Sequence, residues 1–305
     1  MRLRLLDLDG SVTSQPALRN AIADGAGRVV NLRDLGPRLR LWAGRTAMRE
    51  FARRLAEADP APVRGTEVTF IGSGDYHHLC PALLRSRDQI TLLHFDNHPD
   101  WVRFAPAYHC GSWVNQVLRM AEVKRIITIG PCSDDLANPQ LKGGNVAALA
   151  TGRLELYPWQ RSPSRVWGRF ESGPGHRRRG NRLVWRNVGS EDWPAFVAEV
   201  LERMPTDGVW ITIDKDVLRS EDAITNWDQG QMPLAALLTA LRMVAVRKRV
   251  VGVDVCGEYA PLAHRHPLKR WEAWTDQPAA PADRDVSRNF ATNAALLATL
   301  AEISA

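Results

Sequence analysis

The chain has 305 residues, 45% of them hydrophobic, which suits one large domain or two small ones around a substantial core. No run of about 18 apolar residues is present to span a membrane, and the N-terminus lacks the apolar segment of a signal peptide. The net charge of +6 comes without a basic repeat or tail, which argues against a dedicated nucleic-acid protein, and the scattered cysteines Cys80, Cys110, Cys132 and Cys256 point to a reducing cytoplasm.

A strand is expected at 1–8, followed by helical patterns at 16–23 and 46–58 and a Pro/Gly-rich link at 60–65. Further strands are expected at 68–71, 90–95, 125–129, 154–157, 209–213 and 250–255. Helices are expected between most of them, at 79–85, 112–121, 193–203 and 234–246, with a final amphipathic helix at 286–303. This alternation predicts an α/β protein, a parallel sheet covered on both faces, in a single domain over 1–305. Segment 160–189 interrupts the pattern. It carries Arg161, Arg165, Arg169, Arg177, Arg178, Arg179, Arg182 and Arg186 with Trp167 and Trp185 among them. It reads first as an excursion over the surface or around a pocket mouth, with nucleic-acid stacking or recognition of an acidic or extended substrate as alternatives.

Two strands end in acid. The apolar run 90–95 closes on Asp96, His98 and Asp100, each two residues apart and therefore on one face of an extended chain. The run 209–213 closes on Asp214 and Asp216 with the same spacing. Lys215, on the opposite face, reads as a packing or supporting residue. Carboxylates brought together at the carboxyl end of a parallel sheet repel strongly unless cations lie between them, so the pattern calls for metal. A third short strand, 67–71, runs into Gly72-Ser73-Gly74-Asp75-Tyr76-His77-His78 and supplies an imidazole.

A glycine turn with Asp and His, then Asp-x-His-x-Asp, then a strand ending Asp-x-Asp resembles the arginase (ureohydrolase) superfamily. The resemblance implies a three-layer α-β-α fold with a predominantly parallel sheet and a centre of two Mn²⁺, with nickel, iron and zinc left open. It implies that Asp96 and Asp214 bridge the ions, that His98 and Asp216 complete one shell, and that Asp100 belongs to the other. The family's remaining histidine directly follows the Asp of its glycine turn. Tyr76 intervenes here, so His77 or His78 is the expected ligand, with His77 favoured. His109, in His109-Cys110-Gly111, matches the family's proton-shuttling histidine, and Asp100 is expected to share proton transfer with it. Glu258, in Asp254-Val255-Cys256-Gly257-Glu258-Tyr259-Ala260-Pro261, matches its guanidinium-holding glutamate across one extra residue, with Asp254 or Asp228 as fallback.

The implied reaction is attack of water on a guanidino carbon with release of urea. Segment 220–233 departs from the arginase and agmatinase pattern and resembles a divergent branch that includes peptide arginases. The expected partner is thus a small guanidino compound or an arginine-containing peptide (a peptide modification), with Trp101, Trp113 and Trp227 as rim or core. Membrane and nucleic acid are not expected, and a homo-oligomer is compatible. The alternatives are a single-metal amidohydrolase akin to deacetylases and a non-catalytic binding protein.

Overall fold

The computed structural model describes residues 1–58, 65–84, 88–103, 106, 108–168, 171–261, 264–278 and 285–304. In chain order its elements are β1 (Arg2–Asp7), α1 (Pro16–Ala23), β2 (Gly27–Asn31), α2 (Gly36–Leu39), α3 (Arg45–Ala58), β3 (Glu67–Gly72), α4 (Cys80–Leu83), β4 (Ile90–Phe95), α5 (Val114–Val117), β5 (Val123–Ile129), α6 (Val146–Ala150) and β6 (Leu154–Tyr157). They continue with β7 (Ser164–Arg165), β8 (His176–Arg179), β9 (Arg182–Trp185), α7 (Trp193–Arg203), β10 (Gly208–Asp214), α8 (Leu234–Arg247), β11 (Arg249–Cys256), α9 (Pro267–Asp276) and α10 (Ser287–Ile303).

Eight strands form one parallel sheet in the order β2-β1-β3-β11-β10-β4-β5-β6. Every residue of β3, β4 and β10 is buried, which explains their unbroken apolar sequences: a central parallel strand has no wet face. Helices cover both sides. One core packs α3 and α5 against Leu92 and Trp210, and the other packs α1, α7, α8 and α10 against Leu93, Ile211 and Ile213. On α3 the buried residues Ala47, Met48, Phe51 and Leu55 recur at helical spacing. Asp192 caps α7 by accepting from the Ala195 amide at 3.0 Å. The result is the expected three-layer α/β architecture.

The site follows from strand parity and register. β4 and β10 are neighbours, with Trp210 opposite Leu92 and Thr212 opposite His94. Even-numbered residues of both strands therefore share one face, and one step further along that face come Asp96 and Asp214. The chain places them together at the carboxyl end of the sheet, where α/β proteins keep their crevice.

Several expectations differ from the structure. The helix expected at 112–121 is a 3-10 turn, Cys110–Ser112, followed by the four-residue α5. That expected at 79–85 begins earlier, as a 3-10 helix over Gly74–Leu79, because the Ser73 hydroxyl accepts from the Asp75 amide and starts the turn there. Segment 160–189 is no bare loop among its described residues, since β7, β9 and β8 form a three-stranded antiparallel sheet. The edge strand β2 and helix α9 were not anticipated. Of the link expected at 60–65, all but Gly65 lies outside the described residues. No described helix is long and apolar enough to cross a membrane.

Candidate metal centre

Three elements converge on Asp96. From the 3-10 turn after β3, His77 points its Nδ1 at Asp96 Oδ2 (3.1 Å), Asp100 Oδ2 (3.3 Å) and Asp214 Oδ2 (3.6 Å). Beyond β4, His98 points its Nδ1 at Asp216 Oδ2 (2.9 Å) and Asp96 Oδ1 (3.6 Å). Asp96 thus belongs to both groups, one containing His77 and Asp100, the other His98 and Asp216. Asp214 joins the first through His77.

The protons on the two imidazoles decide what this arrangement is for. The Thr212 hydroxyl donates to Asp254 Oδ1 at 2.6 Å, so it meets His77 Nε2, 2.8 Å away, with a lone pair, and that nitrogen must carry the proton. In the neutral imidazole that a metal requires, His77 Nδ1 then carries a lone pair, buried among three carboxylates. His98 repeats the arrangement, with Nε2 donating to Asp228 Oδ1 at 2.8 Å and Nδ1 turned inward. Lone pairs facing carboxylate oxygens repel unless a cation lies between them, and an outer partner that fixes the tautomer is how metal-binding histidines are oriented. The donor set of imidazole and carboxylate suits manganese and does not resemble a thiolate zinc site.

Protonation without a cation tells the same story. Burial opposes charge on both histidines, yet Asp100 and Asp96 hold His77, and Asp216 and Asp228 hold His98, well above the usual imidazole range. Burial and the charge of Asp96 push Asp100 up to about 6. Burial, followed by Asp214 and Asp96, raises Asp216, and burial with Asp96 raises Asp214. Asp96 goes the other way because the imidazoles of His94, His77 and His98 outweigh its burial. Protons collect where positive charge is wanted.

The backbone is shaped to hold these carboxylates. Asp100 adopts φ +46°, a left-handed conformation uncommon outside glycine, while Trp113 Nε1 donates to its Oδ2 at 2.5 Å. Gly257, at φ +88°, and Gly74 press backbone against Asp214: a Cβ would come within 2.4 Å of Oδ1 or 2.5 Å of Oδ2 respectively.

The other candidates divide. His78 is buried outside the cluster with both ring nitrogens unpartnered, and burial, with the neighbouring His109 and Lys269, pushes it well below the usual imidazole range. His109 lines the cavity, accepts from the Gly111 amide at Nδ1 (2.9 Å) and so presents a protonated Nε2, which bonds Glu272. Glu258 is placed elsewhere. Its carboxylate is buried, ion-paired with Lys215, and accepts from Asn293 (2.7 Å), Asn289 (3.0 Å) and Gln15 (3.1 Å). It does not line the cavity, and neither does its fallback Asp254, which is bound by Trp210 and Thr212. Asp228, the other fallback, does line it. Trp101 and Trp113 are core, and Trp227 belongs to the wall.

Sequence reasoning missed four contributors: His94, Thr212, Cys256 and Glu272. His94 Nε2 lies 2.8 Å from Asp96 Oδ2 and its Nδ1 3.0 Å from Thr128. Its signal was present, because it stands two residues before Asp96 on the same strand face. The Cys256 thiol donates to Asp214 Oδ2 at 3.1 Å, and burial and that carboxylate push its pKa up. The cavity above the centre measures about 1220 Å³ and is walled by Trp42, Trp227, Trp271, His109, Asp228 and Glu272.

No family model matches the chain. An uncharacterized protein of Thermotoga maritima is 26% identical over 196 residues, a match covering 64% of this chain and 59% of that protein, so the chain aligns with about three fifths of its relative's length. Among solved structures, a hypothetical agmatinase from Burkholderia thailandensis superposes with a TM-score of 0.57 at 15% identity, covering 99% of this chain and 84% of the other. Proclavaminate amidino hydrolase from Streptomyces clavuligerus gives 0.57 at 15%, covering 99% and 91%. Arginase from Bacillus subtilis gives 0.57 at 12%, covering 98% and 97%. These likenesses show the fold: the chain shares the α/β fold of the arginase, agmatinase and proclavaminate amidino hydrolase structures.

Proposed function

We propose that the chain, as one domain over residues 1–305, is a metal-dependent hydrolase that cleaves a guanidino C–N bond and releases urea. The observation that carries this reading is the buried His77 Nδ1 aimed at Asp96, Asp100 and Asp214, with a second inward imidazole at His98. Asp96, Asp214, His77 and Asp100, together with His98 and Asp216, would hold two Mn²⁺ ions. When bound, two such ions would supply a water of lowered pKa as the nucleophile.

The chain's own residues do the remaining work. Water adds to the guanidino carbon, the bond to the alkyl nitrogen breaks, and an ammonium and urea result, with charge conserved. His109 holds its proton on Nε2 against Glu272 at the cavity wall, where it can be delivered to the departing amine. Asp100, which lines the cavity beside His77 and Asp96, would accept the proton of the attacking water. Glu258 is not used, since Lys215 already satisfies it. Asp228 and Glu272, which line the cavity, receive the guanidinium.

The test is elemental analysis of the purified chain followed by urea release after manganese loading. Two ions per chain with urea from arginine, agmatine or an arginine-containing peptide supports the reading. One ion without urea directs attention to amide substrates, and failure to bind metal at all rejects catalysis at this centre.

A further inference from the structure

The cavity is more acidic than its metal centre requires, in a chain whose net charge is +6. Two divalent ions would balance Asp96, Asp100, Asp214 and Asp216. On the rim, Asp134 and Asp135 are answered by Arg161 at 2.5 Å and Lys142 at 3.3 Å. Three carboxylates of the cavity then remain without an ion pair to Lys or Arg among the described residues: Asp228, Glu272 and Asp276. Asp228 accepts from Asn97 and His98, and Glu272 from Trp42 and His109. Asp276, exposed at the end of α9, has no side-chain partner among the described residues.

The converse matters as much. Lys142 is the one fixed cation among the described residues lining the cavity, and Asp135 already occupies it. A substrate with a free carboxylate would therefore enter an acidic cavity with no unclaimed positive group among its described residues to meet it, a mismatch that costs binding. At about 1220 Å³ the cavity also exceeds the roughly 300–1,000 Å³ usual for small ligands. Trp271, 64% exposed, stands on α9 five residues before Asp276, and both line the cavity, an aromatic ring and a carboxylate that each favour an organic cation.

Resting on the hydrolase reading above, we infer that the substrate is an extended guanidino cation without a free carboxylate, and that Asp276 and Trp271 of α9 bind the end of it that lies away from the metal. Both a guanidinoalkyl amine and an arginine held in amide linkage have this chemistry.

The manganese-loaded full chain tests it with arginine, arginine amide, agmatine and Nα-acetylarginine amide. Either blocking or removing the carboxylate should raise kcat/KM for urea release about tenfold or more over arginine. A lead for agmatine identifies the amine as the source, and a lead for the acetylated amide the peptide. Calorimetry supplies a readout independent of turnover: 1,4-diaminobutane should bind more tightly than ornithine. Asp276→Lys, with metal content and circular dichroism unchanged, should collapse both preferences. Arginine turning over as well as its amide, or preferences that survive Asp276→Lys, would overturn the inference while leaving the hydrolase intact. Diamine binding that depends on Asp276 with no urea from any compound would sustain the charge preference and remove the hydrolytic reading instead.

Discussion

Thr212 touches no cavity, yet it determines which nitrogen of His77 is available to metal. Replacing it with Val keeps the shape and removes the acceptor. Manganese affinity should fall about 10–100-fold by calorimetry, as for other lost supports of ligating imidazoles. Metal and protons compete for the same oxygens and nitrogens, so affinity should climb as pH rises through about 6, the value to which Asp100 is pushed, and binding should release protons measurable in weakly buffered solution. Unchanged affinity between pH 5.5 and 7.5 would contradict this. At this scale the sequence was legible where spacing alone sets direction: Asp96, His98, Asp100, Asp214 and Asp216 all fall in the cluster. The choice between His77 and His78 needed the pitch of a 3-10 turn, which no alternation rule supplies. Glu258 looked free because its partner Lys215 lies 43 residues away, a contact only the folded chain makes.

Among the elements, the central strands announced themselves by continuous apolar sequence and α9 did not. Its residues are largely exposed, with Leu268, Trp271 and Trp274 in the open, so no buried stripe marks it. What anchors it is Lys269, which donates to the carbonyls of Pro37 (3.3 Å) and Arg38 (3.1 Å) and lies over the Trp42 ring. Burial, against the opposing charges of Glu272 and Asp75, pulls this ammonium down to about 8. In the unfolded chain it titrates near 10.4, so between about pH 8 and ~10.4 the unfolded state holds a proton that the folded state lacks. Lys269 therefore contributes a rise in stability with pH across that window, lost again as pH falls through about 8. The difference in urea midpoint between wild type and Lys269→Met should track this slope, and parallel pH profiles would argue against it. In β4, Leu92→Ala opens a cavity beneath the site and should cost about 2–5 kcal/mol in urea unfolding.

For the whole molecule, repulsion among the buried carboxylates is relieved by whatever binds there. Manganese at 100 times its Kd should add about 2.7 kcal/mol of stability, seen as a thermal midpoint that falls on chelation and recovers on reloading. A midpoint indifferent to both would mean that the ions do not bind the folded state. The buried knot of Lys215 and Glu258 carries a different consequence. It is closed by Gln15, just before α1, and by Asn289 and Asn293 on α10, while Lys215 sits between two of the centre's aspartates. The segment bearing Asp214 and Asp216 is thus fastened to both the first helix and the last. Without α10 the buried ion pair keeps Gln15 and loses Asn289 and Asn293, and a buried ion pair short of partners costs several kcal/mol. Metal affinity should therefore depend on α10, although that helix supplies no ligand.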